Sequence, residues 1–257
     1  MKKYQYIYQM IKSFITKYFY KIRQECWKII DTNYAEGKDK YRIVRDLAEN
    51  SQKNGCVILD AGCGNNSIIL NQNDLKRKKL GIDIALNDIK KNKSIDYAIC
   101  CNITCIALKN ESVDLIICNM VIEHLQDPTV AFAEFSRVLK KGGYLIFMTP
   151  CIYNIVVFLS KMIPNRFHNK LVSLLTGINE SNIFPTFYKA NSIGMLRKML
   201  TERKLVERDL IMYQPPPYAF VFSKIICKLI IHYFRIINKY DWMEALRGVI
   251  IARYQKI

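Results

Sequence analysis

A chain of 257 residues is long enough to bury a large core in one domain with insertions. Its 39 basic against 22 acidic residues leave a net charge of +17, which calls for a polyanionic neighbour, either nucleic acid or an anionic membrane surface. Nine cysteines, an odd number without Cys-x-x-Cys spacing or clustered histidines, argue against a disulfide framework and a zinc site; no metal is expected, and a reducing cytoplasmic compartment is.

In chain order, residues 1 to 30 lack signal-peptide architecture, because lysines and tyrosines interrupt every apolar run. Ile7, Ile11, Phe14, Tyr18 and Ile22 recur every three or four residues and give one apolar helical face, with Lys12, Lys17, Lys21, Arg23 and Lys28 largely off it. Two readings stand: a helix that caps the domain and part of an acceptor pocket, or a helix lying in a membrane interface. Gly37-Lys38-Asp39-Lys40 breaks the pattern, and Tyr41 to Ser51 reads as a helix leading into the first strand.

Residues 57 to 70 then pass from an apolar strand-like run through Asp60, Gly62 and Gly64 into a helix-like pattern. Glycines at a strand end let the backbone turn tightly and approach a ligand, as a cofactor loop requires. A dinucleotide loop would need a third glycine where Ser67 stands, and the carboxylate of Asp60 would repel a pyrophosphate. That disfavours NAD and suits a ligand with a cationic end, such as S-adenosylmethionine.

On these residues the chain resembles the class I S-adenosylmethionine-dependent methyltransferases, methyltransferase type 11-like, whose first motif reads Asp/Glu-x-Gly-x-Gly-x-Gly. Asp60, Gly62 and Gly64 match, and Asn66 replaces the last glycine, a residue that tolerates positive φ. Lys79 to Ile84 reads as a second strand ending at Asp83, placed for both ribose hydroxyls. Asn102 stands for the acid that meets the adenine amino group and keeps an amide oxygen that can accept that bond. Asp114 to Asn119 is a strand, Glu123-His124-Leu125-Gln126-Asp127-Pro128 the loop after it, Ala131 to Gly143 a helix closed by lysines and glycine, and Tyr144 to Pro150 a further strand. Between these blocks, Lys90, Lys91 and Lys93 read as a solvated face, and the cysteines of the strand-like runs as small core residues.

The resemblance implies a doubly wound, Rossmann-like α/β fold with a seven-stranded, mostly parallel sheet and an antiparallel last strand. It also implies S-adenosylmethionine as cofactor, held by Asp60, Gly62, Cys63, Gly64, Asp83, Ile84, Asn102, Ile103 and Asn119. The chain divides into a helical cap over 1–50, the cofactor-binding core over 51–150, an acceptor-side insertion over 151–200 and last strands with an inserted amphipathic helix over 201–257, in one domain overall. Phe184 to Asn191 is similar to a Phe-Pro-Thr-Tyr-Tyr-Arg-Ala-Asn stretch of a bacterial methyltransferase subgroup. Asn191 to Arg203 reads as a helix, Leu205 to Met212 as the sixth strand, and Leu246 to Arg253 resembles the antiparallel last one.

Phe220 to Tyr240 is apolar for about the length of a membrane span, yet carries Lys224, Lys228, His232, Arg235 and Lys239 within one helical sector of roughly 80°. Spanning would bury charges at about 2.5 to 3.5 kcal/mol each near the bilayer centre. Lying in the interface keeps them wet, with Phe220, Ile226, Ile230 and Ile237 on the apolar side; packing on the domain with a basic edge exposed is the other reading.

Methyl transfer from a sulfonium needs alignment and a dry site more than side-chain chemistry. For a hydroxyl acceptor His124 is placed as a base, against the plainer reading that it caps its loop, and His168 and Tyr188 read as packing in a lid. The acceptor is expected to be a small molecule or lipid-linked, with an anionic membrane surface as partner and the inner membrane face as location. Nucleic acid is disfavoured, because no recognised binding module is present and Asn119-Met120-Val121-Ile122 stands where amino-methylating enzymes carry Asn-Pro-Pro-Tyr. A cofactor-binding scaffold without turnover, tethered to membrane, is the alternative from another class.

Overall fold

A computed structural model describes residues 2–34, 39–51, 55–67, 77–162 and 184–257, with residues 2–16 and 160–162 described as backbone alone. Gly37, Lys38, Ile68 to Leu70 and His168 lie outside the described residues, as do the side chains of Ile7, Ile11, Lys12 and Phe14. The chain forms two compact units: one of residues 1–38, 155–184 and 214–247, the other of 39–154, 185–213 and 248–257.

The second unit holds a seven-stranded sheet: β1 Val57–Ala61, β2 Lys78–Asp83, β3 Tyr97–Cys100, β4 Val113–Asn119, β5 Leu139–Pro150, β6 Leu205–Tyr213 and β7 Val249–Lys256. Their order is β3-β2-β1-β4-β5-β7-β6, parallel except where β7 runs antiparallel to both of its neighbours. The central strands are apolar without alternation because both faces are covered. Leu59, Ile116, Cys118 and Phe147 face a core with Phe132, Phe135, Leu196 and Leu200, while Ile58, Leu115, Ile117 and Met148 face a second with Val44, Leu47 and Ala48. Those partners come from α2 (Lys40–Glu49) on one face, and from α4 (Pro128–Val138) and α6 (Ile193–Thr201) on the other; α3 is the single turn Leu86–Ile89. The sheet is the doubly wound, Rossmann-like one expected, with the last strand antiparallel.

Helix starts follow local chemistry. The carboxylate of Asp39 accepts the amide of Arg42 at 2.9 Å, and Asp127, ahead of Pro128, accepts that of Thr129 at 3.0 Å. The end of α4 differs from expectation: the helix stops at Val138, and Lys140 to Gly143 already run in β5. Leu139 pairs with Val113, while the Arg137 guanidinium donates to the carbonyls of Ile106 and Leu108 at 2.8 Å, so the chain leaves the helix a turn early. A register shift between Val113 and Leu115, with Gly142 at φ +77, absorbs the surplus residues. Strand β3 has no distinct sequence signal, being four residues long and largely exposed.

In the first unit, α1 (Lys2–Asn33) packs on α7 (Lys224–Lys239), and α5 spans Ile155–Met162. Cys26, Ile30 and Tyr34 meet Val221, Cys227, Ile231, Phe234 and Ile237 in one core. Tyr34 ties its hydroxyl in twice, donating to the Gln214 carbonyl at 3.2 Å and accepting from Asn238 at 2.8 Å. This corrects most of the expected outward face of α7: Ile237 is buried and Ile230 half-buried in the core shared with α1, Phe220 is buried ahead of the helix, and Ile226 alone of the four stays exposed.

Candidate functional site

The candidate residues converge on the carboxyl ends of β1, β2, β3 and β4, where the strand order reverses between β1 and β4. Asp60 is buried near the end of β1, and the chain then turns through Gly62 at φ +81. The amides of Gly62 and Cys63 both donate to the Ile82 carbonyl, at 2.8 and 3.1 Å, which folds the loop back over β2. A Cβ on Gly62 would stand 2.4 Å from Cγ2 of Val121, so glycine is required there for both φ and space. Gly64, at φ +52, has no atom of the described residues within 4 Å of where a Cβ would sit, so among these its backbone is open to approach by a ligand.

Asp83 ends β2 and locks this loop. One carboxylate oxygen accepts the amide of Gly64 and the other that of Ala85, both at 2.8 Å. Burial pushes the Asp60 carboxyl up to about 6, and the charge of Asp83 adds to the effect. Cys63 is buried between them, and burial pushes its thiol up to about 12, so it is a packing group rather than a nucleophile. Ile84 is 72% exposed at the rim, an apolar surface a flat ring could cover. Ile103 turns its side chain into the core and leaves only its backbone for a ligand. Asn102 is exposed, and its amide oxygen accepts from Thr104 N at 3.0 Å with one lone pair remaining. Asn119 ends β4, and its buried Oδ1 has no hydrogen-bond partner among the described residues.

Residues of the lysine-rich stretch brace the loop, which sequence reasoning missed. Lys90, Lys91 and Lys93 are exposed as expected, but the buried Asn92 between them donates to the carbonyls of Cys63 and Gly64 at 3.2 Å. Ser94 donates to the amide oxygen of Asn66 at 2.9 Å and accepts the amide of Ser67. Gly81 was missed too: a Cβ there would lie 2.6 Å from Ile95 and 2.8 Å from Cys63. The signal was a polar pair in a cationic run and a glycine inside an apolar strand.

Beside this loop, Glu123 and His124 form a 3-10 turn after β4. Glu123 is buried, which raises its carboxyl; it accepts the Thr149 hydroxyl at 3.1 Å, and Asn191 donates to that hydroxyl at 2.7 Å. The 185–188 segment clamps the same turn, with the amides of Phe187 and Tyr188 on the Glu123 carbonyl at 2.8 and 3.3 Å. His124 Nδ1 lies 2.7 Å from the Pro185 carbonyl, an acceptor only, so Nδ1 carries the proton and Nε2 is the basic nitrogen, 3.9 Å from the Glu123 carboxylate. Met120 at φ +54 and Tyr188 at φ +50 hold left-handed backbone on either side, strain of the kind that collects at functional sites.

This geometry fits a ligand with a flat heterocycle, vicinal hydroxyls and a cationic end. Asp83 faces the first turn of the loop, Asp60 supplies a buried acid, and Asn119 an orphaned acceptor for an ammonium group. Among the described residues, no cluster of histidine, cysteine and carboxylate groups could hold a metal ion.

Comparison with known proteins agrees with the geometry. Residues 59–147 match the model of a methyltransferase domain. The chain is 31% identical over 101 residues to malonyl-[acyl-carrier protein] O-methyltransferase of Yersinia pestis, covering 38% of each chain. It is 25% identical over 131 residues to ubiquinone biosynthesis O-methyltransferase of Xanthomonas oryzae pv. oryzae, covering 45% of this chain and 55% of the other. The matches thus span between about a third and a little over half of these curated relatives. Among solved structures, the geranyl diphosphate C-methyltransferase of Streptomyces coelicolor, in complex with Mg2+, geranyl diphosphate and S-adenosyl-L-homocysteine, superposes with a TM-score of 0.54 at 15% identity, over 84% of this chain and 78% of that one. A methyltransferase-fold protein of Methanosarcina mazei gives 0.55 at 16%, over 82% and 97%. At such identities the likeness is one of fold.

Proposed function

We propose, from the match of residues 59–147 to a methyltransferase domain, that the chain is an S-adenosylmethionine-dependent methyltransferase of class I that methylates an oxygen of a small-molecule or lipid-linked acceptor, working at an anionic membrane surface. The observation that carries the reading is the loop itself. Asp83 pins the Gly64 amide, no atom of the described residues fills the space where a Gly64 Cβ would sit, and Asp60 and the Asn119 Oδ1, which has no partner among the described residues, are buried at the ends of the paired strands β1 and β4. In this reading Asp60 and Asn119 take the cationic amino-acid end of the cofactor, Asp83 the ribose hydroxyls, and Ile84, Asn102 and Ile103 the adenine, with Cys63 packing beneath.

Bound S-adenosylmethionine supplies an electrophilic methyl group whose carbon–sulfur bond breaks as the acceptor oxygen bonds to carbon, leaving S-adenosylhomocysteine. The protein's own part is positioning and proton removal. His124 Nε2 takes the hydroxyl proton, its ring held by the Pro185 carbonyl and its Nε2 3.9 Å from the Glu123 carboxylate. The names of the two curated relatives, both O-methyltransferases, support an oxygen acceptor.

Calorimetric titration with S-adenosylmethionine and S-adenosylhomocysteine tests the first half: saturable binding of both is expected, and none at millimolar ligand would refute it. His124→Gln tests the second. It should lower kcat by about 10²- to 10⁴-fold with cofactor affinity unchanged; unaltered turnover would return His124 to a capping role. The second reading, a scaffold without turnover, draws on Asn66 and Asn102, whose side-chain oxygens are both engaged locally. Labelled methyl transfer to any extracted acceptor decides against it.

A further inference from the structure

Charge is uneven along the chain. The unit of 1–38, 155–184 and 214–247 carries 16 basic against 6 acidic residues, or +10 of the total +17, in well under half of the sequence. On α7 the side turned to α1 is apolar and buried, as a packed helix requires. The other side is what a packed helix does not require. Lys224, Lys228, Arg235 and Lys239 form one exposed row along the border of that side, where Lys224 pairs with Glu25 and Arg235 donates to the Asn33 carbonyl of α1, with His232 at its edge. Next to it, Ile225, Leu229 and Ile236 form a second row at i, i+4 and i+11, with Ile225 74% and Leu229 64% exposed. The helix runs into Tyr240 and Trp242, whose rings lie 6.4 Å apart and of which Trp242 is 80% exposed.

We propose that this outer side of α7, with Trp242, is the surface by which the protein lies on an anionic lipid bilayer: Ile225, Leu229, Ile236 and Trp242 enter the headgroup boundary while the lysine row meets lipid phosphate. An apolar row exposed beside a basic one is the pattern of an interfacial helix, and an indole suits the boundary between headgroups and chains. Helix α1 adds to the field. Lys21, Lys28 and Lys224 all surround the single carboxylate of Glu25, which Lys224 pairs at 2.8 Å and which together they hold below the usual carboxylate range. The acid cannot neutralise three cations, so the junction of the two helices stays positive. Among the described residues no helix is long and apolar enough to cross a membrane. This placement makes specific the membrane clause of the proposed function and needs neither cofactor nor turnover.

The test is co-sedimentation of the purified full chain, without cofactor, with vesicles of phosphatidylcholine alone or containing a third phosphatidylglycerol. Binding to the anionic vesicles is expected to be at least about tenfold tighter and to weaken with added salt. Ile225→Asp with Leu229→Asp should reduce it more than tenfold, and Lys228→Glu with Lys239→Glu, both fully surface changes, should reduce it on anionic vesicles by a similar factor. Circular dichroism checks that each variant is folded, and the charge-reversal pair decides the matter if the aspartate pair is not. Equal binding to neutral vesicles, or wild-type binding by the folded variants, would overturn the assignment. So would a dimer in solution that the aspartate pair dissociates without any vesicle binding, because a second copy would then cover this side. S-adenosylmethionine titration of the same preparations is independent, so its failure would strike the methyltransferase reading and leave the lipid surface standing.

Discussion

Two carboxylates at the loop divide the work of holding a cationic nucleoside, and their environments say how. Asp83 has both oxygens committed to backbone amides, so its direction is fixed before any ligand arrives. Asp83→Ala removes a charge-assisted partner and should weaken S-adenosylmethionine binding by about 1.5 to 3 kcal/mol, measured calorimetrically; unchanged affinity would move the ribose elsewhere. Asp60 is the opposite case, buried and pushed from 3.8 up to about 6. Raised above its unfolded value, the carboxyl stabilises the native state while protonated, and that contribution is lost as pH rises through about 6. Binding runs the other way, since only the ionised acid attracts a cation. Affinity for S-adenosylmethionine should therefore fall as pH drops from 7 to 5 with an inflection near the Asp60 value, and Asp60→Asn should flatten the profile. A flat wild-type profile would take Asp60 out of the cationic subsite.

At the scale of elements, the loop after β1 shows what two glycines do differently. Gly62→Ala would meet the Val121 side chain at 2.4 Å in a left-handed backbone, so it should destabilise the fold by several kcal/mol and lower expression. Gly64→Ala meets no atom of the described residues, so it should cost only the left-handed strain of about 1 to 2 kcal/mol while cutting cofactor affinity far more. Equal losses of stability in the two would mean that the space beside Gly64 is not a ligand's. The sequence made this loop legible because an acid, two glycines and a flanking strand form a local pattern that burial cannot disguise. It did not disclose Asn92, Ser94 or Gly81, whose roles come from chain segments that meet only in the fold. The doubly buried central strands were likewise legible as uninterrupted apolar runs, whereas the seven-stranded, mostly parallel sheet was what the family resemblance implied, and the short, exposed β3 carried no signal of its own. The end of α4 and the outward side of α7 were not: what decides them is the anchoring of Arg137 and the partner helix α1, and neither is encoded in the periodicity of the helix itself.

For the whole molecule, a cofactor that binds only the native state must add to its stability by mass action. At a hundred times its Kd, S-adenosylmethionine contributes about 2.7 kcal/mol. For a chain of this size each kcal/mol moves a midpoint by about 2 to 4 °C, so thermal unfolding should shift upward by roughly 5 to 10 °C. NAD should give no such shift, because Ser67 occupies the position of the third glycine that a pyrophosphate loop needs, and the buried acid Asp60 lies beside the turn. Differential scanning fluorimetry with S-adenosylmethionine, S-adenosylhomocysteine and NAD, each at matched millimolar concentration, makes the comparison on one preparation. A shift with the first two alone identifies the ligand by its shared adenosine and amino-acid ends. A comparable shift with NAD would mean that the loop reads only the adenosine both ligands share, and the argument from Asp60 as the selector of a cationic end would fail.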